Sequence, residues 1–291
     1  VENTNEIFGM PWPDALQVIS SRFTLMQRAI YECACAGCKS IWVAVEPEYF
    51  DLYKHFVKDS LEDPYNLLIN KFQYGITKKA KMEIPIYFTP TMPKDVKARK
   101  SQAWSIITAA RSANRIFATI AEESKPLRFY VAFTNGIYNE DALLHDRPLL
   151  CAKSPFHFSF QKKTFKDDLP LGFTFTQDEL KEAIKYVRVN STGLYRIKDE
   201  YLNNNDPSLP SREKLERISK EDRIDAKKLT VSEVFNHVDL SGERYYSLDW
   251  LYDIREYEDW DKYIVSKKKK KYYWKLFKQA RIEKIGENIE Q

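Results

Sequence analysis

Three cysteines, Cys33, Cys35 and Cys38, stand in C-x-C-x2-C spacing, while Cys151 is alone. Thiolates so placed could bind zinc or exchange a disulfide. A zinc site, however, takes four ligands, usually as two spaced pairs, and no histidine or second cysteine pair lies nearby. The competing reading is small buried residues on a helix in a reducing compartment. The four histidines, His55, His145, His157 and His237, show no ligand spacing such as HExxH. Four cations, Lys94, Lys97, Arg99 and Lys100, precede a long helical stretch. With the partial positive charge of a helix N-terminus they could hold phosphate; their other reading is a solvated loop. Five consecutive lysines, Lys267 to Lys271, lead into Tyr272, Tyr273, Trp274, Lys275 and Lys278. That pattern suits phosphate contact with aromatic stacking on bases. It equally suits a solvated basic helix end or a docking surface for an acidic protein partner. Glycine is scarce, 8 in 291 residues, against about 7% on average. No two glycines are close enough for GxGxxG or GxxxxGK[ST], so neither phosphate cradle is present.

Side chains of this kind need a scaffold, and the chain is long enough to build a sizeable core. With 46 Lys+Arg against 42 Asp+Glu, the net charge of +4 does not itself predict nucleic-acid binding. No apolar run approaches the roughly 20 residues that span a bilayer, and residues 1–7 are polar, unlike a signal-peptide core. The expectation is a soluble, cytoplasmic protein without a membrane partner. Ser20 or Ser21 is placed to cap a helix running through Cys33, with Gly37 at its C′ position. The apolar run over 41–45 reads as a strand buried on both faces. A helix follows over 48–58, a strand over 84–88, a long helix over 101–121 and a strand over 129–133, ended by Asn135-Gly136. Alternation of this kind predicts an α/β fold, Rossmann-like, with a mixed, mostly parallel sheet flanked by helices. Its site would lie at the carboxyl ends of the strands, in the loops after Val45, Phe88 and Phe133. Further on, 156–160 reads as a strand, and Thr176 with Glu179 opens a helix to about Val187. Residues 191–197 look extended, and 212–228 read as a solvated helix or excursion. Thr230 with Glu233 opens a helix to about His237, 245–250 is a strand and 256–265 a helix. Residues 1–265 form one α/β domain on this reading, and 266–291 a basic aromatic tail.

Several segments, in order, resemble the sugar-nucleotide branch of the nucleotidyltransferases, with its glycosyltransferase-A-like fold. Gly9-Met10-Pro11-Trp12-Pro13-Asp14-Ala15-Leu16 looks like the end of that family's signature loop, G-x-x-R followed by P-K-x-L. Arg28-Ala29-Ile30, Ala36-Gly37-Cys38 and Ser40-Ile41-Trp42-Val43 are similar to its first helix, Ala-Gly turn and second strand. Thr192-Gly193-Leu194-Tyr195 resembles its T-G-[IL]-Y element, and Leu229 to Val238 fits the helix that follows. Trp250-Leu251-Tyr252-Asp253-Ile254, with Glu258-Asp259-Trp260, looks like its closing W-x-D-[IV]-x-T-x-E-D-Y element. The pattern is also similar to uncharacterised nucleotidyltransferase-like proteins of tailed marine phages, which would place the protein in a host cytoplasm.

The resemblance implies attack by a sugar phosphate on the α-phosphate of an NTP, with Mg²⁺ and cationic side chains neutralising the developing charge. It implies substrate contacts from Gly9, Met10, Asn135 and Gly193, with Lys94, Arg99 and Lys100 as candidate substitutes for the family's missing cations. It implies metal ligation by Asp253, with Asp141 as a substitute for the carboxylate that Asn135 replaces. The departures are chemical. Asp14 stands where the phosphate-binding Lys is expected, the signature Arg is missing near Met10, and the G-T-A element reads Ser101-Gln102-Ala103. Three readings therefore follow. One is a divergent enzyme binding a nucleotide or nucleotide-sugar, transferring a nucleotidyl group to a sugar phosphate. Another is a catalytically inactive scaffold serving structural or interaction roles, and the third is a nucleic-acid-binding protein acting through 267–278.

Overall fold

The computed structural model describes residues 12–65, 83–92, 95, 99, 101–120, 126–144, 147, 155–191, 195–197, 215–219, 226–241, 245–266 and 276–278. The strands are β1 Val18–Ser20, β2 Phe23–Thr24, β3 Ile41–Val45, β4 Ser60–Glu62, β5 Glu83–Pro90, β6 Arg128–Val131, β7 Gly136–Ile137, β8 His157–Phe160, β9 Phe173–Thr176, β10 Tyr195–Ile197, β11 Leu215–Arg217, β12 Tyr245–Leu248, β13 Tyr252–Asp253 and β14 Phe277–Lys278. The helices are α1 Leu25–Cys35, α2 Phe50–Val57, α3 Gln102–Ile120, α4 Gln177–Asn190, α5 Val231–Val234 and α6 Tyr257–Val265.

The class is α/β, and the sheets are mixed. One four-stranded sheet runs β14-β4-β5-β3, the other β12-β8-β9-β6, with short ribbons β1-β2, β13-β7 and β10-β11. The pairs β3–β5 and β8–β12 are parallel, and the other described pairs are antiparallel. The run over 41–45 is a strand, but it lies at the end of its described sheet rather than between neighbours. Trp42 and Val43 are accordingly half-buried, Trp42 stacking on Tyr87 with ring centroids 4.6 Å apart. Where it is described, the 212–228 excursion is a strand over Leu215–Arg217, paired antiparallel with Tyr195–Ile197, and one 3-10 turn over Ala226–Lys228.

Helix α1 begins later than Ser20 or Ser21 suggests. Residues 18–24 form a hairpin that turns at Arg22, whose φ is 61°. Neither serine has Glu or Gln three residues on, whereas Thr24 has Gln27. The Gln27 amide donates to Thr24 Oγ1 at 3.3 Å and the Thr24 amide to Gln27 Oε1 at 2.9 Å, completing a capping box. At the other end Gly37 takes φ 88°, as a C′ glycine should. Cys38 N–H then reaches Cys33 O at 3.1 Å and Gly37 N–H reaches Ala34 O at 3.0 Å, the two bonds of a Schellman end. Cys35 is buried, Cys33 and Cys38 partly so, and all three are free thiols. A hydrogen bond with the Cys38 thiol, and then burial, push the Cys33 thiol up, away from the reactive thiolate.

The capping box of Thr176 and Glu179 opens α4 as expected, with the Thr176 amide 2.6 Å from Glu179 Oε2. Replacing Thr176 with alanine should cost about 1 kcal/mol, read as a lower midpoint in a urea melt with unchanged slope. Thr230 and Glu233 form a second box, but α5 stops at Val234 instead of His237. There the chain leaves the helix through turns, with Phe235 fully buried.

Helix α3 joins the two sheets. Its buried Ala103, Trp104, Ile107 and Ala110 fall on one stripe. They pack with Val131, Phe173, Phe175 and Phe235 from the second sheet and its covering elements, and α3 also lies against β3. At the C-terminal side, Leu276 and Phe277 are buried in the first core, and Phe277 meets Phe23 edge-on at 5.9 Å. The strand β14 thus belongs to the first sheet, although it falls within the 266–291 tail read from sequence. Lys267 to Lys271 and Lys275 lie outside the described residues. Among the described residues no helix is long and apolar enough to cross a membrane.

Candidate functional site

Strand β6 ends at Val131, and the chain turns through Phe133, Thr134 and Asn135 before β7. Two bonds hold this turn. The buried Arg28 guanidinium donates to Phe133 O at 2.7 Å, and Ile254 N–H donates to Asn135 O at 2.9 Å. Register Asp253↔Gly136 in the β7–β13 ribbon sets the closing element directly beside the turn. Gly136 is required here for space, since a Cβ would sit 2.4 Å from Pro170 O. Three backbone segments therefore meet at the rim of one cleft.

The cleft encloses about 340 Å³. Asp14 and Ala15 line one wall, Ser101 and Gln102 bring the start of α3, and Phe133 to Asn135 bring the end of the β6 strand. Phe165 and the stretch Asp168 to Pro170 line it too, with Lys227 to Val231 and Ile254 and Arg255 completing it. Ser101 Oγ accepts the Trp104 amide at 3.3 Å. Ser101 and Gln102 thus bring the N-terminal, partly positive end of a 19-residue helix to the cavity. Both amide atoms of the Asn135 side chain are buried and have no hydrogen-bond partner among the described residues, an arrangement that suits a group able to donate and accept.

Charge at the cleft is mixed. Lys227, Lys228 and Arg255 line it together with Asp14 and Asp168. Asp168 Oδ1 accepts the Ser232 hydroxyl at 2.6 Å, and its carbonyl accepts Arg255 Nη2 at 2.5 Å. Arg255 grips Asp253: Nε lies 2.9 Å from Oδ1 and 3.0 Å from Oδ2, Nη2 bonds Oδ2, and the Arg255 amide donates to Oδ1 at 3.1 Å. That carboxylate holds the guanidinium's pKa above its already high ordinary value.

The residues expected from sequence are thus distributed. Asn135 lines the cleft. Arg99 lies over the Trp104 ring at 4.6 Å and 3.4 Å from Asp95, beside the start of α3 but not on the cavity wall. Asp253 adjoins the cleft with its carboxylate engaged by Arg255, and Asp141 accepts the Tyr31 hydroxyl at 3.1 Å, against α1. Gly9, Met10, Lys94, Lys100 and Gly193 lie outside the described residues. Among the described residues no three His, Cys, Asp or Glu side chains gather as a metal site. Mg²⁺ needs carboxylate oxygen at about 2.0–2.1 Å in octahedral array, and the oxygens of Asp253 already receive Arg255. Among the described residues the donor set therefore does not fit that ion.

Lys227, Lys228 and Arg255 were not among the sequence candidates. A signal existed: two lysines stand directly ahead of the Thr230–Glu233 box, where the start of a helix faces a strand-end cleft.

Neither a protein-family model nor a curated protein matches the chain. A solved structure, the nucleoside-diphosphate-sugar pyrophosphorylase from Vibrio cholerae RC9, is similar with a TM-score of 0.43 and 11% identity, over 91% of this chain and 97% of that one. The resemblance to tailed-phage proteins rests on the sequence alone.

Proposed function

We propose that the protein binds a nucleotide or nucleotide-sugar in this cleft, as a divergent nucleotidyltransferase-like protein. One observation carries the reading: the separate segments that resemble that family converge on a single cavity. Asp14, Leu229 and Ile254 are far apart in sequence and come from three segments that resemble the family, while Ser101 and Asn135 stand where its G-T-A element and a metal carboxylate would be. The volume lies in the range of about 300–1,000 Å³ usual for small-molecule sites. Cations and a helix N-terminus suit phosphate, while Asp14 and the Asn135 amide suit hydroxyls or a base edge. Asp14 disfavours a bare triphosphate, which points to a nucleotide-sugar over an NTP.

Transfer of the nucleotidyl group to a sugar phosphate is the finer reading. Against it stands the occupied carboxylate of Asp253, and the same observation favours a second reading in which binding is kept and transfer lost. Thermal-shift measurements with the four NTPs and a panel of nucleotide-sugars test binding. Ligand at a hundredfold its Kd should stabilise by about 2.7 kcal/mol, a rise of several degrees in Tm. Flat curves with every compound would remove the proposal. Pyrophosphate release from an NTP and a sugar phosphate separates the enzyme from the binding protein.

A further inference from the structure

We propose that the cleft holds its ligand's phosphate without a divalent cation, using the Arg255 guanidinium clamped by Asp253, together with Lys228; this rests on the ligand-binding reading above. The carboxylate of Asp253 takes three bonds from the Arg255 side chain and one from its amide. A cation bound there would have to displace the guanidinium and then sit beside it, like charge against like charge.

The clamp has the opposite use. Arginine presents a planar fork suited to phosphate oxygens, and it binds best when the fork is already fixed. Asp253 and the Asp168 carbonyl hold Nε and Nη2, so orientation is set before any ligand arrives. Nη1 makes no hydrogen bond among the described residues, and the side chain, 40% exposed, lines the cavity. Asp253 neutralises much of the arginine's charge, so net attraction must come from elsewhere. Lys228 supplies it: the residue is exposed, lines the same cavity and forms no ion pair among the described residues. Ser101 and Gln102, at the N-terminal and partly positive end of α3, line the same space. Asp253 is then a positioning residue for Arg255.

The test is titration calorimetry with inorganic pyrophosphate and with the nucleotide-sugars of the thermal-shift panel, in EDTA and in MgCl₂. Affinity in EDTA within about threefold of that in MgCl₂ is the expected result. Binding that needs Mg²⁺ overturns this proposal while leaving the ligand-binding reading intact, and absence of binding in both buffers overturns both. Arg255→Gln and Lys228→Glu should each weaken binding by roughly 10-fold or more. Lys228 is exposed, so its variant reports on binding with the fold intact. Asp253→Asn keeps an acceptor for Arg255 and should retain most of the EDTA affinity, whereas a metal ligand there would lose it. Unchanged affinity in both cation variants overturns the assignment.

Discussion

Arg28→Leu should destabilise the protein by about 3–5 kcal/mol, the usual loss when one partner of a buried ion pair is removed. Arg28 and Glu32 are one turn apart on α1, both fully buried, with Nη2 2.9 Å from Oε2. Arg28 also donates to Phe133 O and lies over the Tyr138 ring at 4.9 Å. Glu32 Oε1 accepts the hydroxyls of Tyr130 and Tyr138 at 2.6 Å each, and Tyr138 in turn receives the Gly172 amide at 3.2 Å. Burial pushes the Glu32 carboxyl up, while Arg28 and the two tyrosines pull it down. Losing Arg28 leaves burial and the nearby Glu140 opposed only by the tyrosines, so the pKa rises further. A raised folded pKa favours the folded state below the unfolded value near 4.5 and loses that advantage as pH rises through the folded value. The variant should therefore be more defective at pH about 8 than at pH about 5. Urea melts at the two pH values measure both effects. A loss under about 1 kcal/mol at neutral pH, typical of an exposed pair, would sink the account. The double variant Arg28→Met, Glu32→Leu should recover part of the loss, because it leaves no buried charge alone.

That network also marks where reading the chain stops. Arg28 and Glu32 have the i, i+4 spacing of an ordinary surface pair, and nothing local tells which side of α1 is covered. The cover comes from Tyr130 and Tyr138, about a hundred residues away. Local signals fared better. The C′ role of Gly37, the boxes at Thr176 and Thr230, and the long apolar stripe of α3 are all written in neighbouring residues. The start of α1 is not legible locally, because a short hairpin before it carries serines that resemble caps. Strand existence was readable, but partners were not. Pairing such as β9 between β6 and β8 is decided by side chains that meet only in the folded chain. The site divides the same way. Asn135 could be placed by its segment, yet the bond that ties its carbonyl to Ile254 could not. Asp253 reads as a metal ligand by its segment. Only the fold shows Arg255 curling back onto it and Lys228 arriving from a separate turn.

Phe173→Ala should cost about 3–5 kcal/mol, the range for a fully buried phenylalanine, and should also weaken ligand binding. The side chain has no solvent exposure and is surrounded by rings. Phe165 stacks on it with centroids 3.8 Å apart, Phe235 stands at 5.6 Å, and Phe175 and Phe133 lie at 6.1 and 6.3 Å. On β9 it is paired across to Val131 of β6 and to His157 of β8, so the backbone cannot slide to fill the gap. The residue before it is equally confined, because a Cβ on Gly172 would come 2.3 Å from the Tyr130 hydroxyl and 2.6 Å from Glu32 Oε1. With the strand held at both points, truncation leaves a cavity rather than a collapse, and cavity volume adds to the lost transfer energy. Phe133 and Phe165 lie between Phe173 and the cleft and form part of its wall. Removing their support loosens the turn that carries Asn135. Phe173→Leu keeps most of the volume and should cost about 1–2 kcal/mol, with affinity largely retained. Val189→Ala, at an exposed position on α4, should stay within about 0.5 kcal/mol. Urea melts of the three variants give the stabilities, and calorimetry below their transitions gives the affinities. If Phe173→Ala falls near the Val189 control, the aromatic cluster does not hold the second sheet. If the alanine variant is destabilised but binds as well as the leucine variant, the cluster does not support the cleft.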